Sequence, residues 1–324
     1  MEREGHAAPH RFSYTTRGPY SLAATAARFT RWPEVVDRFD GTTYRRLLPV
    51  GRRGVLLEAR QTGRRPQLQI TLRGEAAGSE AAREAAVRIV ETGLGAALDV
   101  RPFYRSFRGD PLLAEALRHS RGLRIAGAPS LWEALVTAVL SQQVNLRFAY
   151  DIRRELALAF GRRARFDGMT YFAFPTPSCL ARESERVFRK FRLSGAKAGT
   201  LTRLAGVFAS GEVSERQTAG LPDEEAIERL TKIKGVGRWT AEIALLRGLG
   251  RADVFPGADL GVVKYVAIEL LGHRARVSES LMRQFADRWR PYRGLALVYA
   301  YAEIARRAEL GPRSLPAERR GPHQ

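Results

Sequence analysis

The stretch Ile233-Lys234-Gly235-Val236-Gly237-Arg238-Trp239-Thr240-Ala241-Glu242 sets two glycines one residue apart, between an apolar-periodic segment and the start of a new helical pattern. Upstream, Pro222 and the acids Asp223, Glu224 and Glu225 start a helix whose Ile227, Leu230 and Ile233 share one face. Downstream, a second helix begins near Arg238 and stops at Gly250. Helices joined by so short a turn must pack on each other, so Val236 can be the plug between them and one glycine can serve that packing. Two flanking glycines, with Lys234 and Arg238 outside them, fit a second purpose. Backbone N–H groups at a helix N-terminus donate to an anion, and glycine lets that anion come close. The turn alone leaves both readings open.

The 324-residue chain is 44% hydrophobic, enough to bury a substantial core, and long enough for two or three domains. Its formal charge of +20 points to a polyanionic partner, nucleic acid first. Lysine occurs only as Lys190, Lys197, Lys232, Lys234 and Lys264, so the excess is arginine, which genome base composition can also favour. One cysteine, Cys179, excludes intramolecular disulfides, a four-cysteine zinc site and a four-cysteine iron–sulfur cluster. No apolar run approaches the roughly 18 residues needed to span a bilayer, and the N-terminal stretch lacks the apolar core of a signal peptide. A cytoplasmic, nucleoid-associated location is expected.

The first 18 residues and the tail 311–324 are polar and patternless and read as disordered. Three β-like runs follow one another from Thr42 to Arg73, separated by Gly-Arg turns, and a helix is expected from about Ser79 to Thr92. They predict a small antiparallel α+β domain over residues 19–105. From 106 to 310 the pattern is helical. Ser130 precedes Glu133 in a capping-box arrangement, and further helices are expected near 145–160, 178–190, 195–210, 223–232, 239–249, 259–271, 278–288 and 293–308. The fold class is therefore mainly α, a helical array with an N-terminal α+β antiparallel-sheet domain.

The hairpin at 223–249, followed by the Gly/Pro-containing loop GRADVFPGADLGVVKYV (Gly250 to Val266), resembles the helix-hairpin-helix DNA glycosylase superfamily. The position matching the family aspartate is Asp259. Read without that resemblance, Asp259 is an N-cap for the helix from Leu260 onward, and Asp253 is a loop residue. The similarity extends to AVLSQQVN (Ala138 to Asn145), FPTP (Phe174 to Pro177), LSGAKAGTL (Leu193 to Leu201) and RWRPYRGLALVYAYAE (Arg288 to Glu303), where Arg293 reads as structural. The N-terminal domain resembles the extra domain of the alkylbase branch, typified by 3-methyladenine DNA glycosylase II. Strand-cutting relatives carry a lysine nucleophile two residues after the second hairpin glycine, where this chain has Trp239, and Cys179 alone cannot supply the iron–sulfur cluster of the endonuclease-III type.

The resemblance implies a monofunctional glycosylase excising cationic alkylated purines such as 3-methyladenine and 7-methylguanine from damaged double-stranded DNA. Asp259 would be catalytic, stabilising positive charge on the sugar and directing water. Trp239, Ile243 and Tyr301 would line the pocket for a flipped base. Aromatic packing in the core also explains Trp239 and Tyr301. Gln142, Gln143, Lys234, Gly235, Val236, Gly237 and Arg238 would meet DNA. Ile243 replaces a family aromatic, and Gln143 replaces an apolar residue wedged into the base stack. A monomer without cofactor is expected, and whether a monovalent cation sits on the hairpin carbonyls stays open. The alternatives are an 8-oxoguanine-type glycosylase/lyase, which Trp239 opposes, and a non-catalytic helix-hairpin-helix DNA-binding protein, for which Asp259 and an aromatic pocket would be superfluous.

Overall fold

A computed structural model describes residues 8–310 other than 33, 64, 273 and 274. The expected disorder of residues 1–7 and 311–324 therefore lies outside the described residues. The N-terminal sheet has five antiparallel strands in the order β1-β5-β4-β3-β2. They are β1 (His10–Thr15), β2 (Asp37–Phe39), β3 (Thr43–Leu48), β4 (Val55–Gln61) and β5 (Gln67–Arg73). The expected three-strand meander is β3 to β5. In β5 the alternation is clean, with Leu68, Ile70 and Leu72 buried while Gln69 faces solvent. Helix α1 (Glu80–Arg88) lays Ala82 and Ala86 on that apolar face.

Disorder through residue 18 is corrected by β1, which pairs with β5 from His10↔Leu72 to Thr15↔Gln67. As an edge strand β1 buries little, so its sequence carries only a weak alternation, and the free edge of β5 supplies the order. A second correction lies within the helical region. There β6 (Arg163–Phe166) and β7 (Met169–Phe172) form a hairpin around Asp167 and Gly168, both at positive φ. Tyr171 and Ala173 pack on Leu47 and Leu56, covering the other face of the sheet. The boundary expected at residue 105 falls inside a helix, Arg101–Phe107. Its Phe103 ring lies 5.6 Å from Tyr292 and 5.3 Å from Tyr299, within the C-terminal core.

Helices α2 (Leu131–Ser141), α3 (Leu146–Phe160), α4 (Gly195–Ala209), α5 (Asp223–Thr231) and α6 (Arg238–Gly248) build one helical core, centred on α2 against α6. A side chain at Gly248 would meet Ala134 Cβ at 2.6 Å, so this glycine permits the close crossing of the two helices. Helices α7 (Gly261–Leu270), α8 (Glu279–Ala286) and α9 (Arg293–Leu310) form a second core around Trp289 and Tyr299. Half of the expected capping box forms. Ser130 Oγ accepts from Glu133 N at 3.2 Å, but the Glu133 carboxylate is buried between Arg46 and Arg153, at 2.5 Å from each. Asp37 joins this cluster, which ties the sheet to α2 and α3. No helix among the described residues is long and apolar enough to cross a membrane.

Candidate active site

The two glycines of the hairpin serve different ends. Gly235 sits at φ +97°, and a Cβ there would lie 1.9 Å from Thr200 Oγ1, so the packing reading holds for it. Gly237 is extended, has open space where a side chain would stand, and begins α6 without any side-chain cap. The first N–H groups of α6 thus face a clear approach from outside. Val236 is buried in the core as the plug between the helices.

Other side chains fix the turn. Gln142 Nε2 donates to Gly235 O at 3.1 Å and to Thr240 Oγ1 at 3.0 Å, while Arg203 Nε donates to Lys234 O at 3.0 Å. Gln142 therefore buttresses the hairpin, and the two hairpin carbonyls already have protein donors. Arg238 is held by Glu224 at 2.8 Å and Glu242 at 2.9 Å, which leaves Lys234 as the exposed cation of the turn without an ion pair among the described residues. Gln143 is exposed at φ 52°, next to exposed Val144 and Leu146. Beside the hairpin, a hollow of about 610 Å³ is lined by Arg203, Arg229, Lys232 and Lys234. It adds to the basic surface and lies apart from Asp259.

Asp259 stands where the loop after α6 enters α7. Buried Val254 and Phe255 anchor that loop, and Asp259 N donates to Pro256 O at 3.0 Å. The half-buried carboxylate accepts three hydrogen bonds: Trp239 Nε1 to Oδ2 at 3.0 Å, Tyr301 OH to Oδ1 at 2.9 Å and Gly261 N to Oδ1 at 2.9 Å. Its own carbonyl accepts from Val262 N and Val263 N, so the capping role is present as well. All three donors, two side chains and one backbone amide, are neutral, and no basic side chain pairs with Asp259 among the described residues. Burial first, and then the neighbouring Asp259, push the Tyr301 hydroxyl well above its ordinary range, so it stays a donor.

The structure thus brings Asp259, Trp239 and Tyr301 together, with Ile243 one turn along α6 from Trp239. Gly261 was not singled out from sequence. A Cβ there would lie 2.4 Å from Tyr301 OH and 2.9 Å from Asp259 Oδ1, so the triad closes only over glycine. The available signal was a glycine two residues after the aspartate, at a helix start where glycine is not needed. Arg247, two turns along α6 from Trp239, was also not singled out, nor were Arg28 and Tyr150, which meet it at Ala126 O and beyond. Asp253 proves more than a loop residue, because it accepts from Arg293 Nε at 3.0 Å, Nη2 at 2.9 Å and the backbone N at 3.1 Å. Arg293 is structural, as expected.

Residues 136–291 match the family model described as HhH-GPD superfamily base excision DNA repair protein. The chain is 31% identical over 219 residues to DNA-3-methyladenine glycosylase of Bacillus subtilis, spanning 68% of this chain and 72% of that protein. It is 30% identical over 181 residues to DNA-3-methyladenine glycosylase 2 of Escherichia coli, spanning 56% and 60% respectively. Among solved structures, a 3-methyladenine DNA-glycosylase from Archaeoglobus fulgidus superposes with a TM-score of 0.78 at 25% identity, covering 91% of this chain and 98% of that one.

Proposed function

The chain belongs to the HhH-GPD superfamily of base excision DNA repair proteins, in its alkylbase glycosylase branch, and from that premise we propose that it hydrolyses the N-glycosidic bond of alkylated purines in double-stranded DNA. Substrates of the class of 3-methyladenine and 7-methylguanine, acted on by a monomer, fit this reading. The observation that carries it is the Asp259 carboxylate, oriented by Trp239, Tyr301 and Gly261 with no basic side chain paired to it among the described residues.

Departure of the base leaves positive charge on the sugar. A fixed carboxylate stabilises that charge and orients water toward it, and its donors need no rearrangement as the charge develops. Such a group contributes roughly two to three powers of ten in rate. A purine alkylated at a ring nitrogen already carries positive charge, so it leaves without a second acid. Flipping must expose the base first. The uncapped start of α6 at Gly237, with Lys234 beside it, supports contact with the DNA backbone, and exposed Gln143 supports a role in probing the stack. Trp239 both holds Asp259 and offers a half-exposed ring to a base.

No amine stands at the Trp239 position to form a Schiff base, which weighs against the glycosylase/lyase alternative. The test is incubation with methylated duplex DNA. Free methylated purine should appear while the strand stays intact until alkali is added, and borohydride should trap no covalent complex. Absence of free base, or unaided strand cleavage, would overturn the proposal.

A further inference from the structure

A seam of half-buried side chains runs along α6. Beyond Arg238, every residue of this helix is buried except Trp239, Ile243 and Arg247, which fall at i, i+4 and i+8 on one face. Trp239 touches Asp259, and Arg247 lies two turns further on, about 12 Å along the axis. Arg247 Nη1 donates to Ala126 O at 2.9 Å, and Arg28 Nη1 donates to the same carbonyl. Arg28 Nη2 donates to Tyr150 OH at 3.0 Å. Three separate parts of the chain, the N-terminal domain, α3 and α6, thus converge at one end of the seam.

Two guanidinium groups sharing one carbonyl repel each other, and neither has a carboxylate partner among the described residues. Arg46, Arg153, Arg251, Arg283 and Arg293 each have one. Burial, and then the charge of Arg28, push the Arg247 guanidinium below its ordinary range, while Tyr150, Tyr301 and Asp259 pull the other way. Arg247 thus shares the face of α6 on which Trp239 holds Asp259. Spare donors in such a place are stabilised by an incoming acceptor. A DNA phosphate is poorly placed to be that acceptor, because Arg247 lies about 15 Å down the helix from the phosphate-facing end at Gly237.

We propose that Arg28 and Arg247 form the donor floor of the base pocket and select flipped purines with a carbonyl oxygen at C6, such as alkylated guanines and hypoxanthine, over purines with an amino group there. The chemistry is that of arginine recognising guanine O6, whereas adenine presents N–H donors at the same edge. This inference rests on the glycosylase reading above.

The test uses duplex DNA methylated to carry both 7-methylguanine and 3-methyladenine, so that the two released bases are counted in one reaction, with a hypoxanthine duplex alongside. Arg247→Met should lower the ratio of 7-methylguanine to 3-methyladenine released by on the order of tenfold or more, and hypoxanthine release by a similar factor. Arg28→Met should act in the same direction and decides the matter if Arg247→Met does not melt as a folded protein. Equal loss for both bases, or no change in the ratio, would overturn the inference. So would weaker binding to an abasic-site duplex with a shallower salt dependence, which would assign the pair to phosphate. If the unaltered protein releases neither base, the glycosylase reading fails and this inference with it.

Discussion

Asp253 and Asp259 lie six residues apart in one loop, and their surroundings are opposite. Asp253 is neutralised by the Arg293 fork at 2.9 and 3.0 Å, and its Oδ1 also takes the backbone N–H at the start of α9. Asp259 is held as rigidly, but by an indole, a phenol and a backbone amide, none of which carries charge. Orientation without neutralisation leaves a full negative charge available to a transition state, whereas orientation by a guanidinium consumes it in the fold. The contrast separates the carboxylate proposed as catalytic from the structural one without reference to any relative.

Substitutions can break this contrast or sharpen it. Gly261→Val would drive a side chain into Tyr301 and Asp259, and displacement of the carboxylate by an ångström should slow base release roughly a hundredfold in a protein that still melts cooperatively. Full activity in that variant would show that the three-donor arrangement is dispensable. Trp239→Phe and Tyr301→Phe each remove one hydrogen bond to a charged group while keeping a ring, so single-turnover release should fall about tenfold for each. Since the Tyr301 hydroxyl titrates well above its ordinary value, the unaltered protein should not lose this donor as pH rises to about 10, and a pH–rate profile checks it.

Asp253→Asn should leave the rate per folded molecule within about threefold and cost about 1–2 kcal/mol in denaturant unfolding, because only the anchorage of Arg293 and the longer contact of Arg290 are weakened. A large rate effect there would erase the distinction between the two aspartates. The smallest effects concern the hairpin. Gly237→Ala, in open space, should weaken binding to an abasic-site duplex a few-fold with little change in stability. Gly235→Ala, forced against Thr200 at positive φ, should chiefly lower stability.

How far the sequence carried these conclusions depended on how local each feature is. The hairpin, Asp259 and most helices were legible because apolar periodicity and glycine placement are written within a few turns of chain. The partnership of Trp239, Tyr301 and Asp259 was legible only through the family resemblance, since 42 residues separate Asp259 from Tyr301 and no local pattern joins them. Strand β1 was missed because an edge strand is ordered by its partner. Glu133 looked like a capping residue because its spacing from Ser130 is right, yet Arg46 and Arg153, far away in sequence, claim its carboxylate. Arg238 looked like a phosphate contact, but Glu224 and Glu242 already hold it. Arg28 and Arg247 gave no signal at all, because arginine is common in this chain and their lack of a carboxylate partner among the described residues is visible only in three dimensions.

The most direct test of the role assigned to Asp259 is Asp259→Asn, an isosteric change that keeps the side chain and removes its charge. Single-turnover release of 7-methylguanine from a defined duplex and affinity for an abasic-site duplex should be measured on the same preparation. The expected result is a rate below about a hundredth of the unaltered protein, with affinity within a few-fold, because the charge acts on the transition state and not on ground-state binding. Retention of more than about a tenth of the rate, at unchanged affinity, would contradict it and assign the chemistry to another group.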